Sequence, residues 1–188
     1  MSVNVANLAI LHYPEKVLRT PAKAIKQVTE ETRQVAERMI ELMYEADGIG
    51  LAAPQIGLSI SLFVLDVPSS EKNSPETDPP SATGDAMVFI NPKLVAFEGA
   101  PEPYEEGCLS LPDIRGDVLR PPVVTVEATD LDGKRFTLRA SGLLARCIQH
   151  EFDHLQGILI LDKMTQMARL KNRTAVRDLE REAEHPKK

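Results

Sequence analysis

The chain has 188 residues, of which 43% are hydrophobic and 4% aromatic, and its formal net charge is −6. This length and composition predict one domain with an aliphatic core. The negative charge argues against a general nucleic-acid binder and against a direct role on DNA, because such proteins need a basic surface. No apolar run approaches the roughly 20 residues of a membrane-spanning helix, so we expect no membrane role.

The first residues, MSVNVANLAILHYPEK, have neither the basic segment and apolar core of a signal peptide nor the arginines of a transit peptide. The chain has two cysteines, and without an export signal these indicate reduced thiols rather than a disulfide. We therefore expect a cytoplasmic location.

The N-terminal third predicts an irregular arm followed by a helix. Residues 1–28 are punctuated by Pro14 and Pro21. Thr29 is a typical N-cap, and the acidic residues after it favour a first helical turn. Apolar residues at helical spacing continue this helix to about residue 46 (Val35, Met39, Leu42, Met43 and Ala46).

The segment GIGLAAPQIG, residues 48–57, interrupts that helix with three glycines and one proline. Such a segment lets the backbone approach another group closely, although an ordinary tight turn explains it equally well. Gln55 is its one strong polar side chain, and its amide can donate and accept hydrogen bonds.

The middle of the chain predicts strands. Residues 60–67 indicate a buried strand. Residues 68–86 hold four prolines and almost nothing apolar, which predicts a mobile surface insertion within the domain. Two short strands are predicted at 87–90 and 93–97, separated by Asn91-Pro92.

A hairpin and a C-terminal helix complete the predicted elements. The segments 123–129 and 134–139 alternate as strands do, and Asp132-Gly133 is a hairpin signal. The segment from Gln166 to Glu184 indicates a helix that is basic first and acidic later. It is either a solvated helix paired with itself or a docking element.

The segment QHEFDHLQG, Gln149–Gly157, contains a His-Glu-x-x-His pattern. On a helix, His150 and His154 stack on one face and can converge on one cation. Glu151 lies beside such a cation and can take a proton from water. Ser141 suits the N-cap of this helix and Gly157 its end. A core helix that carries these residues by chance is the alternative.

A catalytic metal usually has three protein ligands, and this pattern supplies two. Only Asp162, the acidic tail and His185 follow it. Upstream, Cys108 lies in EEGCLSLP, a segment that we interpret as irregular, and a thiolate is a strong ligand for zinc or ferrous iron. Cys147 lies on the inner face of the histidine helix and is better explained as a small buried hydrophobe.

Three segments stand in one order: GIGLAAPQ, EGCLS and QHEFDHLQG. They resemble the three motifs of the peptide deformylase family, and the resemblance extends from YPEKVLR near the start through the histidine helix. The C-terminal helix resembles that of the bacterial class with a long C-terminal helix. The chain departs from the family in its longer 68–86 insertion and in Pro54, where some members have threonine. It also departs in Arg146, where some members have an apolar residue lining the substrate pocket.

The resemblance implies an α+β fold with antiparallel strands around a central helix that carries the HExxH motif, plus a C-terminal helix. It implies a catalytic domain over residues 1–165 and a helical tail over 166–188. The implied activity is a metal-dependent hydrolase that removes the N-formyl group from the formyl-methionine of newly synthesised proteins and releases formate.

The resemblance also implies roles for single residues. One divalent metal, ferrous iron with zinc, nickel or cobalt as substitutes, would bind Cys108, His150 and His154, with water at the fourth position. Glu151 would deprotonate the water and later protonate the leaving amine. The formyl oxygen would be held by two donors, the Gln55 amide and the Leu109 backbone N–H.

By the same resemblance, an extended formyl-methionyl peptide would pair with the backbone at Gly50 and Gly107, and Arg115 would lie along its path. The methionine pocket would be formed by four side chains (Ile49, Tyr104, Leu143 and Cys147). The C-terminal helix would dock on the ribosome through its basic residues (Arg169, Lys171, Arg173 and Arg177).

Two other functions stay open at this point. An HExxH zinc peptidase is one, although EGCLS and the lack of a downstream ligand count against it. A metal-free homologue that only binds nascent chains or the ribosome is the other. No metal ligand is lost, and Glu151 is present, which counts against that alternative.

Overall fold

The computed structural model describes residues 3–185 and has an α+β fold. A five-stranded antiparallel sheet has the order β1-β2-β3-β6-β7, and β4 and β5 form a separate antiparallel pair. The strands are β1 Gly50–Ala52, β2 Leu62–Leu65, β3 Met87–Glu98, β4 Glu102–Cys108, β5 Leu111–Arg120, β6 Val123–Thr129 and β7 Arg135–Ser141. The helices are α1 Glu30–Glu45, α2 Gly142–Leu155, α3 Ile160–Lys163 and α4 Gln166–Glu184.

The first helix begins where the sequence predicts. Thr29 is the N-cap of α1, and its hydroxyl accepts a hydrogen bond from the Thr32 N–H at 3.3 Å. The buried face of α1 packs against β1 and β2 in an aliphatic cluster. Before α1, two short 3₁₀ turns at Val5–Asn7 and Lys16–Arg19 interrupt an otherwise irregular arm.

The histidine helix α2 is in contact with four strands of the five-stranded sheet, namely β1, β2, β6 and β7. Its inner face joins the largest buried cluster, which includes Leu144 and Ile148. Ser141 is the N-cap residue, but its hydroxyl donates to the Pro79 carbonyl at 2.8 Å instead of capping the helix. The helix ends before Gly157. The φ of Gly157, 71°, lies in the left-handed region that glycine adopts at the ends of helices.

The 68–86 segment is only partly the surface insertion that its composition predicts. Ser81, Ala82 and Thr83 are buried, and the Ser81 carbonyl accepts the Leu144 N–H at 3.2 Å. The segment therefore satisfies a free donor in the first turn of α2. This contact with α2 could not be predicted from the sequence, because backbone groups and small side chains form it.

The two short strands predicted around Asn91-Pro92 are one strand, β3, with irregular pairing to β6 at this point. Asn91 has a φ of 51°, which bends the strand without ending it. Its side chain accepts from the Ile25 N–H and donates to the Ile25 carbonyl, both at 2.8 Å. The strand persists because the arm supplies these two hydrogen bonds.

The β4–β5 pair was not predicted, and placing Cys108 in an irregular segment was wrong. Cys108 is the last residue of β4, and the register shifts between Gly107 and Cys108. β4 carries Glu and Pro and is mostly exposed, so it lacks the apolar signal of a strand. β5 does alternate, with Ile114, Gly116 and Val118 buried.

The β6–β7 hairpin matches its prediction, with Gly133 in the turn at a φ of 77°. The C-terminal helix has the predicted bounds, Gln166–Glu184. It packs on β5, where the Asn172 side-chain amide donates to the Arg115 carbonyl at 2.8 Å. Within residues 3–185, no helix is long and apolar enough to cross a membrane.

The charges of α4 are not paired along the helix. Arg181–Asp178 is the one ion pair within α4 among the described residues. Arg169 instead donates to the backbone carbonyls of Met164, at 3.1 Å, and Asp162, at 2.7 Å. Arg169, Arg173 and Arg177 line one groove, so these three basic residues share one face of α4.

Candidate metal centre

Three metal-ligating side chains converge where α2 meets the end of β4. The potential ligand atoms of Cys108, His150 and His154 all lie within 4.8 Å of one another. Cys108 Sγ is 3.3 Å from His154 Nε2, and the two imidazole centroids are 5.0 Å apart. The helical spacing stacks the two rings, and the β4–β5 turn brings the sulfur to them.

A buried carboxylate fixes the orientation of one imidazole. Glu106 Oε2 lies 3.0 Å from His150 Nδ1, which leaves Nε2 as the other ring nitrogen for a metal. Arg120 binds both oxygens of Glu106, at 2.6 and 3.0 Å, and also Asp153 at 2.8 Å. Burial alone would raise the pKa of Glu106, but hydrogen bonds from His150 and Arg120 lower it to about 2.

The network of Glu106, His150, Arg120 and Asp153 was not predicted from the sequence. Glu106 belongs to EGCLS, but the motif gives no sign of which side chain it contacts. Arg120 stands 14 residues later on β5 and shares no motif with it. A buried carboxylate needs positively charged or hydrogen-bonding partners, and this general requirement was the one available indication that Glu106 would have such partners.

Glu151 is buried beside the cluster, and its Oε2 has no hydrogen-bond partner among the described residues. Burial raises the pKa of Glu151 to about 7, although His150 and Arg120 act to lower it. A buried, unpaired carboxyl group with a pKa near neutrality can accept and release protons. The role of Glu151 in proton transfer stays a prediction.

The Gln55 carboxamide is held in one orientation. Its Oε1 accepts the Ala52 N–H at 2.8 Å, so its Nε2 is directed toward Ser110 Oγ, at 3.2 Å, and Cys108 Sγ, at 3.7 Å. Gln55 follows β1 in the 3₁₀ turn Ala53–Ile56. The donor end of the amide therefore faces the metal-ligating cluster.

The cluster opens into a cleft of about 620 Å³. The cleft lining includes all the substrate-binding residues expected from sequence, namely Ile49, Gly50, Tyr104, Gly107, Arg115, Leu143 and Cys147. It also includes the predicted oxyanion residues Gln55 and Leu109, together with Cys108, His150 and Glu151. His154 lies behind this surface and is 1% exposed.

Arg146 lines the same cleft, but its guanidinium is hydrogen-bonded to other groups of the protein. Its guanidinium donates to Glu106 Oε1 at 2.9 Å and to the Val118 and Glu102 carbonyls at 3.1 and 3.0 Å. It also lies 5.1 Å from the centre of the Tyr104 ring. Arg146 therefore holds β4 and β5 against α2.

The two cysteines are free and differ in environment. Cys147 is buried, and its thiol donates to the Ile49 carbonyl at 3.4 Å. Burial raises the pKa of Cys147 well above its ordinary value, which keeps the thiol protonated. Of the two cysteines, only Cys108 lies with His150 and His154 in the group that could hold a metal.

The donor set fits a divalent metal. One sulfur and two imidazole nitrogens are ligands that zinc and ferrous iron accept, and three protein ligands leave room for a reactant. His154 directs Nε2 toward Cys108 Sγ, at 3.3 Å, which is the ring nitrogen that could bind a metal there. A proton-accepting carboxyl group beside such a centre, at the base of a cleft, defines a metal-dependent hydrolase.

The family model described as polypeptide deformylase matches residues 7–170. The chain belongs to the polypeptide deformylase family. A peptide deformylase of Acinetobacter baumannii is 45% identical over 183 residues, which is 97% of each chain. The chloroplastic peptide deformylase 1B of Solanum lycopersicum is 42% identical over 86% of this chain and 54% of its own length.

Solved structures agree with the sequence matches. The peptide deformylase of Ehrlichia chaffeensis superposes with a TM-score of 0.84 at 30% identity, covering 94% of this chain and 97% of that one. A plant peptide deformylase, PDF1B, superposes with a TM-score of 0.83 at 37% identity, covering 95% and 91%. These matches support an enzyme with deformylase activity, not a zinc peptidase or a non-catalytic binder.

Proposed function

We propose that this chain hydrolyses the formyl amide of formyl-methionyl peptides with one divalent metal held by Cys108, His150 and His154. The observation that carries the proposal is the position of Glu151, which is buried beside the three ligand atoms and whose Oε2 has no partner within residues 3–185. A bound metal would supply a Lewis acid that polarises the formyl carbonyl and lowers the pKa of water.

Glu151 moves the proton in this proposal. Its carboxylate takes a proton from the attacking water as the water oxygen bonds to the formyl carbon. It then delivers that proton to the amine nitrogen as the carbon–nitrogen bond breaks. The products are formate and a free N-terminal methionine. A pKa near neutrality suits both halves of this transfer.

Gln55 and Leu109 stabilise the charge that develops on the formyl oxygen. The Gln55 amide is fixed with Nε2 toward the cluster, and Leu109 follows Cys108 at the end of β4. Fixed donors need no reorganisation during the reaction, and one such donor is worth about a hundredfold to a thousandfold in rate.

The cleft accommodates an extended peptide. Gly50 and Gly107 lie along it and allow backbone-to-backbone pairing, as an added strand would make. Ile49, Leu143 and Cys147 give an apolar pocket for the methionine side chain, with Tyr104 at its edge. Arg115 is exposed at the mouth, where the rest of the peptide leaves the cleft.

Ferrous iron is the metal that we propose, with zinc, nickel or cobalt as substitutes, because a thiolate and two imidazoles accept each of them. The cytoplasm, where thiols stay reduced, is the location that suits a thiolate-held ferrous ion.

Substrate choice tests the proposed function. The protein is incubated with formyl-Met-Ala-Ser, with acetyl-Met-Ala-Ser and with an unblocked peptide of the same length. We expect formate from the first, little acetate from the second, and no cleavage of internal peptide bonds in any of them. Internal cleavage without formate release would instead indicate a peptidase.

We also propose that α4 docks on the ribosome through its basic face. Arg173 and Arg177 are exposed and have no acidic partner among the described residues, whereas Arg169 is occupied by two carbonyls. Binding to RNA phosphates through these arginines should weaken as salt rises. Because α4 packs on β5, removing the whole helix would also expose apolar surface.

Charge reversal is therefore the sharper test of docking. Arg173→Glu combined with Arg177→Glu should abolish ribosome co-sedimentation at low salt and leave formate release from a free peptide intact. Lys134→Glu combined with Arg135→Glu makes the same charge change on the β6–β7 turn and should bind as the parent does. Equal binding by both double variants would rule out this face of α4.

A further inference from the structure

We infer that Ser110 is a positioning residue that aims one amide hydrogen of Gln55 at the formyl oxygen. The inference rests on the proposed role of Gln55 as an oxyanion donor. Ser110 is fully buried, with 0% exposure, and Gln55 is 1% exposed. Their hydrogen bond is therefore shielded from competing water, and its geometry is set by the protein alone.

The hydrogen bonds of Gln55 fix which way its amide faces. A carboxamide has one acceptor oxygen and a nitrogen with two hydrogens. The Ala52 N–H occupies Oε1, at 2.8 Å, and Ser110 Oγ accepts one hydrogen from Nε2, at 3.2 Å. The second Nε2 hydrogen is left on the side of Cys108 Sγ, at 3.7 Å, where the cluster meets the cleft. Ser110 thus accepts one of the two Nε2 hydrogens of Gln55 and thereby orients the other toward the cleft.

The N-terminal arm fixes the backbones of both residues. The Leu11 N–H donates to the Gln55 carbonyl at 2.7 Å, and the Tyr13 N–H donates to the Ser110 carbonyl at 2.9 Å. Two residues of the arm, Leu11 and Tyr13, therefore tie the 3₁₀ turn of Gln55 to the β4–β5 turn of Ser110. The distance between the amide and the hydroxyl is set from outside the cleft.

Without the Ser110 hydroxyl, the carboxamide would keep the bond from the Ala52 N–H and the long contact to Cys108 Sγ, and it could turn more freely about its terminal bond. The Nε2 hydrogen would spend less time toward the formyl oxygen. A donor that is misplaced loses much of its effect in the transition state, whereas binding of the rest of the peptide is unchanged. The loss should thus fall on kcat and not on KM.

A double-mutant cycle tests this inference. Gln55→Ala, Ser110→Ala and the double variant are assayed with formyl-Met-Ala-Ser, with kcat expressed per bound metal ion. We expect Ser110→Ala to lower kcat about tenfold with KM within about twofold of the parent. We expect the double variant to be no slower than Gln55→Ala, because Ser110 acts through Gln55.

Ser81→Ala is the matched control, because it removes another buried serine hydroxyl, 7% exposed, on the segment before β3. It should keep the parent kcat. Should Ser110→Ala fail to fold, Ser110→Gly provides a second hydroxyl-free variant for the same cycle.

Two results would overturn the inference. One is a Ser110→Ala kcat within about twofold of the parent, and the other is an equal slowing by Ser110→Ala in the Gln55→Ala background. A near-normal kcat for Gln55→Ala alone would instead refute the donor role of Gln55, and the inference would fall with it.

Discussion

Gly50 lies so close to Glu151 that a Cβ at position 50 would stand 2.5 Å from Glu151 Oε1 and 2.8 Å from Cys147 Sγ. Both contacts are shorter than real Cβ atoms make. The first motif of the chain thus packs directly against the third. Because glycine has no Cβ, position 50 leaves free the space beside which the Glu151 carboxyl group lies.

Gly50→Ala should displace the Glu151 carboxyl group and lower formate release at least about tenfold, because a small shift of a reacting group has a large effect on rate. Metal content should stay near that of the parent, since no ligand is touched. Gly84→Ala is the control, because a Cβ there would meet nothing within 4 Å. Equal activity of the two variants would show that a Cβ at position 50 does not displace the Glu151 carboxyl group.

Glu151→Gln should retain the metal and lose about a hundredfold or more of its kcat, because an amide cannot accept the proton of water. The variant is compared with Glu127→Gln, a change at the exposed residue of β6, which should behave as the parent. Near-normal turnover of Glu151→Gln at saturating substrate would contradict its assigned role.

The two cysteines should respond differently to the same change. Cys108→Ser should lose most bound metal and activity, because serine is a poor substitute for a thiolate ligand. Cys147→Ser should keep its metal, since the Cys147 thiol donates to a carbonyl. Metal analysis of both proteins decides the assignment, and the reverse pattern would exclude Cys108 as the ligand.

Much of this fold could be predicted from local sequence. Thr29 and Gln166 mark helix starts because capping and periodicity are local. The β4–β5 pair was missed because β4 is exposed and rich in Glu and Pro, so its stability depends on partners distant in sequence. The burial of Ser81 was missed for a similar reason, since its carbonyl serves the N-terminus of α2.

The sequence pointed to the grouping of Cys108, His150 and His154 because the His-x-x-x-His spacing and a thiolate upstream both suggest coordination without knowledge of the fold, and the three side chains do lie together. The residues that orient those side chains could not be predicted. Glu106, Arg120 and Asp153 come from β4, β5 and α2, and nothing local in the sequence joins them. The contact of Gly50 with Glu151 likewise exists only once β1 packs on α2.

The pKa of Glu106 predicts a pH dependence of stability. Its value of about 2 in the folded protein lies below the ordinary value of 4.5, so the folded state favours the ionised form. Stability from this group is thus present above about pH 4.5 and lost as pH falls through about 2. The difference in unfolding free energy between metal-free parent and Glu106→Gln should shrink over that range. A difference that is constant with pH would show that the ionised form is not preferred.

The central claim is that one metal ion, held by Cys108, His150 and His154, supports formate release. Its most direct test is titration of metal-free protein with ferrous iron, without oxygen, while formate release from formyl-Met-Ala-Ser is followed. We expect no formate before metal is added, a linear rise in the rate up to one equivalent per chain and a plateau beyond it. Full formate release by the metal-free protein, or a break at two equivalents, would contradict the claim.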